Sequence, residues 1–185
     1  MNPRQQAIQL ARQYALAEPV FLDTETTGLS PSDQIVEICL LDSRGAVLME
    51  TLVRPTQRIP RDAIQIHGIT DELVMHAPIW PEVWTQVEAI LRGRYVGIYN
   101  ADFDLRMLRQ SHQAHSLTWP GNPSNFCIMK LYAQFYAQLG SYGTPRWQKL
   151  EIAARQCGID PGYTHRARQD TLLAKSVFDH IAASL

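Results

Sequence analysis

FLDTETTGL, residues 21–29, carries an apolar run into two acids and then into a Thr-Thr-Gly turn. Phe21 and Leu22 read as buried strand, and on a strand side chains two apart leave the same face, so Asp23 and Glu25 point together. Carboxylates held side by side repel, which raises at least one pKa unless a proton or a cation sits between them. A strand end running out into water is the bland explanation of the pair; a metal site is the sharp one. The choice depends on whether other acids converge on these two from elsewhere in the chain.

Working outward, Val20–Asp23, Gln34–Asp42 and Ala46–Val53 are β-branched or apolar runs, and Ser43-Arg44-Gly45 makes a tight turn between the last two. That order predicts an antiparallel three-strand meander. Ahead of it, Ile8, Ala11, Tyr14 and Ala15 recur at helical spacing and stop before Pro19, which predicts a docking helix over residues 3–17. Beyond it, Thr70 suits a helix cap and Pro81 the first turn of a helix running to about Leu91. Tyr95–Tyr99 and Asn125–Ile128 read as two more strands. Asp102–His115, Leu131–Leu139, Leu150–Cys157 and Arg166–Ala183 read as helices, with Gly158 stopping the third of these. Residues 116–125 and 140–147, rich in Gly, Pro, Ser and Asn, read as loops. A meander followed by alternating strands and helices predicts an α/β fold with one mixed five-stranded sheet flanked by helices.

The chain of 185 residues, 45% of them apolar, suits one domain over residues 1–185, with the core at 20–178 behind the helix at 1–17. A formal charge of −1 excludes the global basic field of a non-specific duplex binder, so any nucleic-acid contact must come from a local patch. Cys39, Cys127 and Cys157 form no CxxC pair, which argues against a disulfide framework and a structural zinc site and suits a reducing cytoplasm. No apolar window reaches the length of a membrane span, so no membrane partner is expected and the location expected is cytoplasmic.

Two further stretches supply acids. In YNADFDLRML, residues 99–108, Asp102 and Asp104 follow an apolar strand, where open α/β sheets keep their sites. On a helix Asp104 shares a face with Leu108 and Asp102 sits at the exposed start, so Asp104 is favoured as a ligand and Asp102 as a cap. In THRARQDTLLAKSVF, residues 164–178, Asp170 lies beside Leu173 and Ala174 and is directed inward, where an unpaired carboxylate is costly. His165, five residues earlier, can lean over whatever Asp170 binds. An all-oxygen set of this kind suits Mg²⁺.

LDTETTGL, NADFD and HRARQD, in this order and separation, resemble the three exonuclease motifs of the DEDDh superfamily, the DnaQ-like 3′→5′ exonucleases; IHGITDELV at residues 66–74 is similar to another stretch common in that group. The resemblance covers about Val20 to Phe178 and implies a ribonuclease H-like fold. It also implies Asp23, Glu25, Asp104 and Asp170 as ligands of two Mg²⁺ or Mn²⁺ ions, with His165 as the base. Paired ions activate a water and neutralise a leaving oxygen, and an imidazole, with an ordinary pKa of about 6.5, suits removal of the water's proton. By the same resemblance Asp23 would bridge both ions, and Thr26, Gly28, Leu29 and Phe103 would seat the 3′ nucleotide. His67 is a further candidate binder, set against a purely structural role as a capping residue.

The expectation is a 3′→5′ exonuclease on single-stranded nucleic acid 3′ ends, with DNA favoured and nucleoside 5′-monophosphates released. The alternatives are an RNase T- or oligoribonuclease-like exoribonuclease and a non-catalytic binding module on the same fold. Association with a polymerase is conceivable from the resemblance. The stop at Leu185, about one helix after Asp170, favours a free-standing nuclease. Lys149, Arg155, Arg166 and Arg168 are expected to form a local basic rim. His112 and His115 are expected to be solvated at a helix end, and Trp80, Trp84, Trp119 and Trp147 to serve packing.

Overall fold

In the computed structural model, which describes residues 2–137, 146–162 and 165–185, the strand carrying Asp23 and Glu25 lies at the centre of the sheet. β1 (Val20–Thr26) pairs antiparallel with β2 (Ile35–Leu41), and β2 with β3 (Val47–Leu52), which is the expected meander. On its other side β1 pairs parallel with β4 (Val96–Ile98), and β4 with β5 (Asn125–Cys127), so the order is β3-β2-β1-β4-β5. β1 runs past Asp23 to Thr26 because Thr24 and Glu25 still pair with Ile38 and Glu37 on β2.

The period-two alternation of β1 assigns its residues to the two faces of the sheet. Phe21 joins a core with Cys39, Leu41 and Phe126 under α1 (Pro3–Leu16), α6 (Ile128–Tyr136) and α8 (Ala167–Ala183). Leu22 joins Leu40, Ile98 and the apolar stripes of α4 (Trp80–Leu91) and α5 (Ala101–Ala114). Asp23 and Glu25 therefore share the α8 face and Thr24 the α5 face. Close packing fixes Gly97 in β4: a Cβ there would lie 2.6 Å from Phe126 Cζ and 3.0 Å from Phe21 Cδ1.

α1 begins with Asn2, whose side chain accepts from the Gln5 N–H at 2.8 Å while the Gln5 side chain accepts from the Asn2 N–H. It buries Ala7, Ile8 and Ala11 and stacks Tyr14 on Phe126 at 4.1 Å between ring centroids; Ala15 faces outward, because the buried stripe starts one residue earlier than expected, at Ala7. α2 (Arg61–His67), which the sequence pattern does not announce, runs from Pro60 to a left-handed Gly68 with φ 74°. α3 (Asp71–Val74) has the expected Thr70 cap, and α7 is Leu150–Gln156. α6 starts at Ile128, directly after β5. Residues 138–139 of the helix expected there, and 140–145 of the loop expected at 140–147, lie outside the described residues. No described helix is long and apolar enough to cross a membrane.

α5 corrects two expectations. Its cap is Asn100 in left-handed backbone (φ 64°, ψ 52°), a conformation asparagine tolerates, whereas Asp102 is exposed and pairs with Lys130 Nζ at 2.6 Å. His112 is not solvated: it is buried, its Nδ1 lies 3.0 Å from the donor Trp80 Nε1, and Trp84 and Trp119 pack edge-on against the ring. A buried indole N–H needs an acceptor, and the histidine supplies it. His115 is half-buried.

Candidate active site and metal centre

β1 and β4 run parallel, so the last residues of β1 and the first turn of α5 meet at one end of the sheet, where open α/β folds place ligands. Asp23 and Glu25 lean from β1 toward α8, whose first turn carries Asp170. One carboxylate oxygen from each of the three lies within 4.8 Å of the others, the one such group among the described residues. Burial, and then the charges of Asp104, Asp170 and Glu25, hold the Asp23 carboxyl well above the usual carboxylate range. Burial, followed by Asp170 and Glu37, pushes Glu25 up to about 8. Asp170 is raised chiefly by burial, partly offset by the hydrogen bond from the His165 N–H at 3.1 Å. Its other oxygen, Oδ1, is buried with no hydrogen-bond partner among the described residues. Three converging carboxylates that resist ionisation, one with an orphaned oxygen, fit a hard divalent cation.

Asp104 reaches this end of the sheet from the opposite face. It is 2% exposed and accepts from the Thr24 hydroxyl at 2.8 Å. Burial lifts it to about 7 despite that bond. Its charge raises Asp23, yet it stands outside the three-carboxylate group, because Thr24 and not Asp23 faces α5. His165 precedes α8 with left-handed backbone (φ 69°).

A fifth acid was not anticipated. Glu37 sits directly opposite Glu25 in the β1–β2 register, is 3% exposed, and is gripped by Arg166. The visible signal was one charge inside the otherwise apolar strand IVEICLL, which a buried site must pair. Arg166 is thereby removed from the expected basic rim. Arg168 pairs with Glu50 at 3.3 Å, while Lys149 lines a cavity beside His165.

Two cavities flank the carboxylates. One, about 520 Å³, is lined by Glu25, Thr26, Gly28 and His67; the other, about 620 Å³, by Tyr99, Trp147, Lys149 and His165. Leu29 and Phe103 line both, and Leu29 is 75% exposed at the tip of its turn. The turn is rigidly built. The Thr27 hydroxyl donates to Asp33 Oδ1 at 2.7 Å, the Ser30 N–H donates to Asp33 Oδ2 at 2.6 Å, and Gln57 donates to both Thr27 and Asp33. A Cβ on Gly28 would stand 2.7 Å from Asp33 Oδ2, so this position accepts only glycine without moving the carboxylate. The Thr26 hydroxyl donates to the Gly28 carbonyl, and Arg106 and Gln110 on α5 donate to the carbonyls of Leu29 and Ser30. His67 uses both ring nitrogens on backbone: Nδ1 accepts from the Ile69 N–H at 2.9 Å and Nε2 lies 3.2 Å from the Thr26 carbonyl. Accepting at Nδ1 puts the proton on Nε2, so the ring is neutral and ties the end of α2 to the end of β1, and burial lowers its pKa.

An acid cluster at the carboxyl end of β1, acids arriving from α5 and α8, and a mixed sheet in this order define an exonuclease of the DnaQ-like, DEDDh type on a ribonuclease H-like fold. The chain belongs to the exonuclease family RNase_T, whose model matches residues 20–178, and is a 3′→5′ exonuclease of that group. It is 39% identical over 180 residues to the uncharacterized exonuclease CP81 of Escherichia phage 186, covering 94% of this chain and 93% of that protein. It is 28% identical to the DNA polymerase III subunit epsilon of Treponema pallidum, over 87% of this chain and 74% of the relative. Among solved structures, exonuclease X in complex with 5′ overhanging duplex DNA superposes with a TM-score of 0.66 at 27% identity, covering 89% of this chain and 92% of that one. E. coli exonuclease I in complex with a dA16 oligonucleotide matches in fold with a TM-score of 0.67 at 18% identity, over 86% of this chain and 42% of its own.

Proposed function

We propose that residues 1–185 form one exonuclease domain that removes nucleotides from single-stranded 3′ ends, with DNA preferred, and that Asp23, Glu25, Asp104 and Asp170 hold two Mg²⁺ or Mn²⁺ ions. The observation that carries this reading is the convergence of Asp23, Glu25 and Asp170 within 4.8 Å, with all three carboxyls raised. The neighbouring Asp104 and the cleft divided by Leu29 and Phe103 support it. The DNA named with exonuclease X, and the polymerase subunit among the relatives, support DNA over RNA. When bound, such ions supply an activated water and neutralise charge on the leaving oxygen.

The chain's own residues do the rest. His165, whose backbone N–H is anchored on Asp170, faces the larger cavity beside Leu29 and Phe103, and its neutral imidazole nitrogen takes the water's proton. Leu29 and Phe103 bracket the terminal base, Thr26 and Gly28 bring backbone close to the terminal sugar and phosphate, and His67 holds the Thr26 carbonyl in place. The test is a time course on matched 5′-labelled single-stranded DNA and RNA oligomers with Mg²⁺, resolved by length. A ladder shortening from the 3′ end, faster on DNA, is expected; internal cuts, or no cleavage with any divalent ion, would refute the reading, and a faster RNA ladder would reverse the sugar preference.

A further inference from the structure

Glu37 stands in the middle of β2, a strand buried along its whole length, and faces Glu25 across the ladder. Like charges directly opposite each other destabilise a sheet, and a bare carboxylate here would compete for whatever the neighbouring acids hold. Arg166 offsets part of that repulsion, and the carboxylate is not bare, because every side of it is occupied. Arg166 Nε lies 3.1 Å from both Oε1 and Oε2, Arg166 Nη2 donates to Oε1, and the Ala167 N–H donates to Oε2 at 2.9 Å. The guanidinium fork and a backbone N–H leave Glu37 no free site for a metal.

The residues that grip Glu37 are the first of α8. Arg166 caps that helix in extended backbone (φ −139°, ψ 134°), directly after His165 in the left-handed region and four residues before Asp170. A left-handed histidine persists only where its surroundings hold it. Here the His165 N–H is bonded to Asp170 on one side, and the next residue is bolted to β2 on the other. We propose that Glu37 and Arg166 are positioning residues: their ion pair docks the first turn of α8 against β2, so that His165 and Asp170 face Asp23 and Glu25 on the adjacent strand. The proposal rests on the exonuclease reading of the site. The fork, and not charge alone, sets the geometry, so lysine at position 166 is only a partial substitute.

The test compares the wild-type protein with Arg166→Lys and with the double variant Glu37→Gln/Arg166→Met, which leaves no unpaired buried charge. Two quantities are read: single-turnover cleavage of 5′-labelled single-stranded DNA over a range of substrate concentrations, and the rise in melting temperature on adding Mn²⁺ alone. The double variant is expected to lose about 10–100-fold in maximal rate, the usual cost of removing a group that orients ligands, with KM within about twofold. Its Mn²⁺-induced rise shrinks, and Arg166→Lys falls between it and the wild type. A double variant with wild-type rate and wild-type Mn²⁺ response would overturn the proposal. If the double variant does not fold, Arg166→Lys decides: a lower maximal rate at unchanged melting temperature upholds the role, and an unchanged rate refutes it. An inactive wild type would defeat the exonuclease reading instead, and the Mn²⁺ response of the variants would then decide the positioning role alone.

Discussion

The two ends of α5 obey opposite rules. At its start, Asp104, raised by burial, stands near Asp23, Glu25 and Asp170, whose carboxyls burial and neighbouring carboxylates push up. About two turns on, His112 is as deeply buried, but Trp80 donates to it and Trp84 and Trp119 enclose it. One end keeps polar groups in conflict and the other resolves the conflict by packing. Unrelieved repulsion costs stability and is retained where a ligand can relieve it; an indole N–H given a buried acceptor, as Trp80 is by His112, adds stability and a unique arrangement.

Replacing Asp23 should break the comparison at its functional end. Asp23→Asn should lower the single-turnover rate by on the order of 10³ or more, the scale seen when one member of a group acting as a unit is lost. The metal-free variant should melt at or above the wild-type temperature, because a repelling charge has gone. A stable variant with substantial rate would tell against the assignment of Asp23. Metal should relieve the same conflict from outside: Mn²⁺ at about 100 times its Kd should raise the melting temperature by roughly 5–10 °C. Asp170→Asn should shrink that rise, and a melting temperature indifferent to Mn²⁺ in differential scanning calorimetry would contradict a preformed site.

The packed end should respond the other way. His112→Ala removes the acceptor of Trp80 Nε1 and leaves a buried donor, so urea denaturation should show a loss of about 1–3 kcal/mol, while the rate per folded molecule stays unchanged. A rate that falls with unaltered stability would place His112 in the chemistry instead.

The smallest effect is the pH dependence of metal-free stability, in which the two ends pull apart. Carboxyls raised in the folded state, Glu25 to about 8 and Asp104 to about 7, penalise folding fully above those values and progressively less as pH falls from them toward their ordinary values of 4.5 and 3.8. His67 and His112 are lowered from 6.5, so they remain neutral when folded, and stability is lost as pH falls below that unfolded value. Urea midpoints should therefore rise from pH 9 to about 7 and stop rising below about 6.5. Saturating Mn²⁺ should remove the first limb and leave the second.

Much of the acid set was legible because its logic is local. The alternation of Phe21, Asp23 and Glu25, and the place of Asp104 after a strand and Asp170 on an inward helix face, need only the periods of strand and helix. A meander followed by alternating elements pointed to one mixed five-stranded sheet, though not to its strand order. What was hidden depends on partners distant in sequence. Glu37 finds Arg166 across 129 positions, so a residue that looks like part of a phosphate-binding rim is already committed. His112 finds Trp80 across 32, so a helix-end histidine that looks solvated is buried. α2 escaped because its seven residues, Arg61–His67, bury only Ala63 and His67 and give too weak a stripe to register.

The central claim is that Asp23, Glu25 and Asp170, with Asp104 beside them, form a divalent-metal site. Titration calorimetry of Mn²⁺ into the metal-free protein at pH 7, repeated in buffers of different ionisation enthalpy, measures both the ions bound and the protons released. Glu25, held at about 8, and Asp104, at about 7, must give up protons to bind metal. The account predicts two Mn²⁺ ions per chain with net proton release, both lost in Asp23→Asn; binding without proton release, or undiminished binding in Asp23→Asn, would contradict it.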